Sequence, residues 1–163
     1  MLNIRTFLTA TASAALTACA VYYTPPSESP SNAKLIFPSR SADWGVLKGV
    51  STSTPIFGLS ETDQCGTYVR PPKGITKNDD NLEVKIPGGI DIFVGFVATD
   101  PGWECQIHKW FHVEKTASYK FIKVGGGARC GLGVAKIVGE TLIPVNLNSA
   151  EYINQFTGKV CKK

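Results

Sequence analysis

The sequence predicts a mainly β protein: one antiparallel, β-sandwich-like domain with a short C-terminal helix, braced by two disulfides. Three observations carry that prediction. Glycine and proline are abundant, 16 and 10 among 163 residues, which favours strands joined by turns over helices. Apolar or alternating stretches recur about every 10–15 residues between turn signals, with no strand–helix–strand alternation. Four cysteines remain once the N-terminal one is set aside, an even number that suits a disulfide framework. A mass of 17.5 kDa accommodates one domain and an appendage, not two full cores.

Composition narrows the function classes. Hydrophobic residues at 43 % and charged residues at 18 % exclude a disordered polyelectrolyte. No apolar run reaches the roughly 18 residues of a spanning helix. The net charge of +4 is small and scattered, which argues against a nucleic-acid partner.

The first element is an export signal. Residues 1–19 read MLNIRTFLTATASAALTAC, with Arg5 ahead of an uncharged, modestly apolar stretch from Phe7 to Ala18. That is the layout of a secretory signal, so residues 1–18 are set apart from the mature fold. Leu16-Thr17-Ala18-Cys19 resembles the lipobox of bacterial lipoproteins: a leucine, two small residues, then cysteine. The resemblance implies that Cys19 becomes the mature N-terminus and carries palmitate-type acyl chains. Each buried methylene would contribute about 0.8 kcal/mol, so several chains anchor a domain firmly. Ala20, rather than Asp, after the cysteine implies delivery to the outer membrane, with the domain facing the periplasm. A second reading stays open, because Ala18-Cys19-Ala20 also fits an A-x-A-like cleavage site that would release a soluble protein beginning at Val21.

Residues 19–32 read as the lipidated cysteine and a tether. In AVYYTPPSESPSNA (residues 20–33), Pro25, Pro26 and Pro30 oppose both helix and sheet. Fourteen such residues reach on the order of 45 Å when extended, enough to hold a domain off the bilayer. Tyr22 and Tyr23 are expected at the lipid headgroups.

The globular domain is read over residues 33–163. Ala33–Phe37 is its first strand, ended by Pro38. Trp44–Gly58 holds one or two short irregular strands, and Gln64–Val69 another. Pro71–Gly74 and Lys77–Asn81 are loops. Leu82–Ile86 alternates apolar with charged residues, as a half-exposed strand does. Ile90–Ala98 puts Ile92, Val94 and Phe96 on one face and Asp91, Phe93, Gly95 and Val97 on the other, both largely apolar, as in a central strand. Strands at Cys105–Val113, Ser118–Val124 and Arg129–Val138 follow, with Gly125–Gly127 as a tight hairpin and Glu140–Val145 extending this run of strands beyond Gly139. Asn148 and Glu151 resemble a capping box, which predicts a helix over Ser149–Phe156.

Cys65, Cys105, Cys130 and Cys161 can pair in three ways. The expected pairing is Cys105–Cys130, which brackets two consecutive strands, with Cys65–Cys161 tying the tail to the early domain. Loops of this size are worth about 3–5 kcal/mol each in loop-closure entropy. No C-x-x-C spacing points to zinc or redox chemistry.

The candidate site is the strip His108, Trp110 and His112, which share one face of a strand while Ile107, Phe111 and Val113 share the other. Along a straight strand the two histidines stand about 13 Å apart, too far to ligate one metal ion. The strip is therefore read either as an ordinary solvent-facing strip with Trp110 partly covered by its neighbours or as a recognition surface, with no cofactor and no metal expected. Gly125–Gly133 lacks the G-K-[ST] ending of a phosphate loop, and no G-x-S-x-G occurs. Asp91, Asp100, Glu104 and Glu114 are the carboxylates on which a glycosidase reading would rest. With no catalytic motif present, the sequence points to a noncatalytic cell-envelope lipoprotein: a binding or assembly module on the membrane with a protein partner. The alternatives are a periplasmic inhibitor or immunity protein against a wall-degrading enzyme, with Lys73–Asn81 or Asp100–Glu104 as the plugging loop, and a ligand carrier or enzyme using the His108–His112 face.

Overall fold

A computed structural model describes residues 22–38, 52–69, 81–100, 103–123, 131–154 and 157–163. Over these residues the chain forms β1 (Asn32–Pro38), β2 (Thr52–Ser60), β3 (Cys65–Val69), β4 (Asn81–Pro87), β5 (Ile90–Asp100), β6 (Trp103–Val113), β7 (Ser118–Lys123), β8 (Leu132–Val138), β9 (Thr141–Pro144), β10 (Asn148–Asn154) and β11 (Lys159–Lys162).

The strands sort into two layers. One is a five-stranded sheet in the order β4-β1-β7-β8-β9, and the other is a six-stranded closed barrel, β10-β11-β3-β2-β5-β6. The barrel closes where Asn148 and Ser149 of β10 pair with Trp110 and Lys109 of β6. The period-two pattern of β5 explains why the layers adhere. Ile92, Val94 and Phe96 face outward from the barrel with Phe57, Phe111 and Val113, and pack on Leu35, Phe37, Val84, Ile86, Tyr119 and Phe121 of the sheet. Phe37 and Phe121 stack at 4.3 Å between ring centroids. Burying one such ring contributes about 1.5–3 kcal/mol.

Two expectations are corrected. The sandwich is instead a closed barrel packed on an open sheet, because the predicted helix at the C-terminus is strand β10. A capping box is worth about 1 kcal/mol. In β10, alternation places Ala150 and Tyr152 on the more buried side, and pairing with both β11 and β6 satisfies the backbone and closes the barrel. The sheet is not wholly antiparallel either: β1 runs parallel to β7, with Lys34 opposite Ser118. The chain leaves this sheet after β1, builds barrel strands, and returns, so the pairing spans some 84 positions and leaves no local trace. Glu140–Val145 does extend the run of strands beyond Gly139, as β9 at Thr141–Pro144. Gly139, at φ 59°, turns the chain so that β9 folds back antiparallel on β8. The remaining predicted strands in the described residues match within a few residues at their ends, while 44–51 and the Gly125–Gly127 hairpin lie outside those residues.

The N-terminal segment behaves unlike a free tether. Tyr23 is only 8 % exposed and meets Phe57 edge-on at 5.1 Å. Asn32 donates to the Ser27 carbonyl, and Glu28 bonds Lys85 of β4. The stretch from Tyr23 to β1 therefore lies on the domain, and of the two tyrosines only Tyr22 remains exposed, at 40 %.

Cys65 and Cys161 face each other across β3 and β11 and form a disulfide, as expected. Cys105 is also held in a disulfide. Its expected partner Cys130 lies outside the described residues, as does Cys19.

Candidate functional site

The strip on β6 is set by its pairing with β5. His108, Trp110 and His112 stand opposite Gly95, Phe93 and Asp91, on the side away from the sheet-facing core. Since Phe93 is completely buried there, this side lines the barrel, and the strip is not the uniformly solvent-facing surface expected. It grades from a dry end at His108 to a wet end at His112.

At the dry end His108 stacks on Tyr152 of β10, with centroids 4.8 Å apart. Its Nδ1 lies 3.0 Å from the Tyr68 hydroxyl of β3. Gly95 makes this fit possible, since a Cβ there would stand 3.0 Å from that hydroxyl. Burial lowers the His108 pKa below its ordinary 6.5, so the imidazole is neutral near pH 7. Burial, and secondarily Tyr152, push the Tyr68 phenol well above its usual value. His108 Nε2 and Trp110 Nε1 are buried and lack a partner among the described residues. Each such atom costs about 1–3 kcal/mol unless something hydrogen-bonds to it.

Charge gathers at the wet end. Lys162 of β11 places its Nζ 4.4 Å from the centroid of Trp110 and donates to Asp91 Oδ2 at 2.6 Å. His112 Nδ1 lies 2.8 Å from Asp91 Oδ1. Burial alone would raise the Asp91 pKa, but the bonds from Lys162 and His112 outweigh it, and the carboxylate is held below its ordinary value. The His112 side chain is 59 % exposed. The result is a carboxylate with two cationic or hydrogen-bonding neighbours beside an indole face, a group that presents both hydrogen-bond donors and a flat apolar surface.

Chemically this arrangement suits recognition. An aspartate that orients a histidine is half of a general-base unit, yet no hydroxyl or thiol among the described residues is bonded to His112. No group of three His, Cys, Asp or Glu side chains among the described residues could hold a metal ion. Of the other carboxylates, Glu104 bonds Gln106 and Glu114 bonds Lys136, while the Asp100 side chain lies outside what the structure describes. Lys73–Asn81 lies outside the described residues except for Asn81, and Asp100–Glu104 is interrupted by residues 101–102.

Tyr68, Tyr152 and Lys162 were not singled out by the sequence, although a signal existed. Given a Cys65–Cys161 bridge across paired strands, alternation forces Tyr68 and Lys162 onto a shared opposite side. Tyr152 was hidden inside the misread helix. The chain matches no known family, and no curated protein or solved structure shows significant similarity to it.

Proposed function

We propose that the protein is a noncatalytic lipoprotein of the bacterial cell envelope, anchored through acylated Cys19 and serving as a binding or assembly module for another envelope protein. The observation that carries this reading is Leu16-Thr17-Ala18-Cys19 at the end of an export signal, ahead of a domain stapled by Cys65–Cys161. A disulfide closing a long loop is at home in an oxidising, extracytoplasmic compartment and rare in the cytosol. The contact surface in this reading is the wet barrel end, where exposed His112 and the half-buried Asp91, Lys162 and Trp110 behind it combine charge with an aromatic ring.

The test is copurification from crosslinked, detergent-solubilised envelopes of the host, with wild type, Cys19→Ser and His112→Ala compared. The reading expects wild type in the outer-membrane fraction with a stoichiometric protein partner, Cys19→Ser in the soluble periplasm, and a weakened complex with His112→Ala. A membrane-independent complex with a wall-degrading enzyme would replace it with the inhibitor reading. A wild-type chain that is soluble and partnerless would overturn it.

A further inference from the structure

Resting on acylation of Cys19 as proposed above, we infer that the Tyr22–Thr24 edge of the domain lies directly against the phospholipid headgroups, so that the domain has one fixed membrane-facing side. The argument is one of lengths. Tyr23 is seated in the core against Phe57, so the chain available as a tether ends there and not at residue 32. Tyr23 lies four positions after Cys19, a distance of at most about 14 Å when the chain is fully extended. The headgroup layer itself takes up roughly 5–8 Å of that reach. A folded body of about 140 residues has a radius of gyration near 14 Å, hence a radius of about 18 Å as a sphere. Even at full extension the stretch from Cys19 to Tyr23 is shorter than the radius of the body it holds. The domain can neither stand off the bilayer nor turn its far side toward it.

The residues at this edge suit the contact. Tyr22 and Thr24 flank the seat on its exposed side, and an amphipathic tyrosine ring fits the headgroup level. The same geometry sets the candidate site on the other side. Tyr23 shares Phe57 with Phe37, near the C-terminal end of β1. Asp91 follows the turn at Gly88–Gly89, which bonds Ser31 just ahead of β1. The Asp91–His112–Lys162 group therefore opens toward the aqueous compartment, where a protein partner can reach it.

The test uses full-length protein acylated in its host and studied in the native membrane. Photo-crosslinking variants Tyr22→p-benzoylphenylalanine and Thr24→p-benzoylphenylalanine are compared with Glu140→p-benzoylphenylalanine at the far turn between β8 and β9. The intact mass of each N-terminal peptide is measured on the same samples. The expected result is an acylated N-terminus with phospholipid adducts at Tyr22 and Thr24 at least tenfold above those at Glu140. Inserting 20 Gly/Ser residues after Ala20 is expected to bring the three positions within twofold of one another while acylation persists. Equal lipid labelling without the insertion, on an acylated chain, overturns the inference and leaves the lipoprotein reading intact. An unacylated N-terminus beginning at Val21 overturns both.

Discussion

The two sides of the β5–β6 hairpin are packed by opposite rules. On the side facing the sheet, Ile92, Val94, Phe111 and Val113 pack in an almost wholly apolar core, and its phenols, Tyr23 and Tyr119, are pushed above their ordinary pKa by burial. On the barrel side the same two strands carry Asp91, His108, Trp110 and His112, and the space is filled by stacked rings, a cation over an indole, and shared hydrogen bonds. The first side gives cohesion that depends on volume. The second is specific in geometry and sensitive to protons. Stability belongs mostly to the one and chemistry to the other, although a single residue separates them along the chain.

The largest effect is expected from the sheet-facing side. Phe111→Ala opens a cavity between the layers and lowers unfolding free energy by about 3–5 kcal/mol, measured by urea denaturation. Next comes the staple on the outer face of β3 and β11, opposite Tyr68 and Lys162. Replacing both Cys65 and Cys161 by Ala releases a loop spanning 96 positions and costs about 2–5 kcal/mol, with the urea midpoint again as readout.

Acid separates the two sides more finely. The folded pKa of His108 lies below 6.5, so between that lowered value and 6.5 the unfolded chain binds more protons. Its contribution is complete above pH 6.5 and is lost as pH falls through the lowered value. Asp91 acts at lower pH: held below its ordinary 3.8, it contributes above that value and loses its contribution as pH falls through the depressed one. Wild type is thus expected to lose stability in two acid steps. His108→Phe should flatten only the upper step and Asp91→Asn only the lower, in urea titrations repeated from pH 3 to 8. Phe111→Ala should shift the whole curve without changing its shape.

The smallest effect should be a gain. The Tyr23 hydroxyl is buried without a partner among the described residues, and burial raises its pKa to about 12. Tyr23→Phe keeps the ring against Phe57 and removes the stranded hydroxyl, so stability should rise by about 1 kcal/mol. A loss of more than that would mean that the hydroxyl has a partner and that the N-terminal seat is built differently.

Much of this contrast was legible in the sequence because it is local. Alternation in Ile90–Ala98 assigned both faces of β5, and the strip on β6 followed from the same period of two. What stayed hidden depends on distant partners. The capping box at Asn148 and Glu151 is a real local preference, but Tyr152 has a stacking partner 44 positions earlier, at His108, and no local pattern records it. Parallel pairing of β1 with β7 is hidden for the same reason. Pro25, Pro26 and Pro30 spoke for a free tether, and a single buried ring at Tyr23 outweighs them. The candidate site was half visible: β6 supplied its histidines and tryptophan, while Tyr68, Tyr152 and Lys162 arrive from strands that only barrel closure brings near.

The most direct test of the central claim, a lipid-anchored envelope module, is the intact mass of the N-terminal peptide of the protein purified from host membranes. The account predicts a chain beginning at Cys19 whose mass exceeds that of the bare peptide by a diacylglyceryl group and further acyl chain. A chain beginning at Val21 with an unmodified amino group would contradict it.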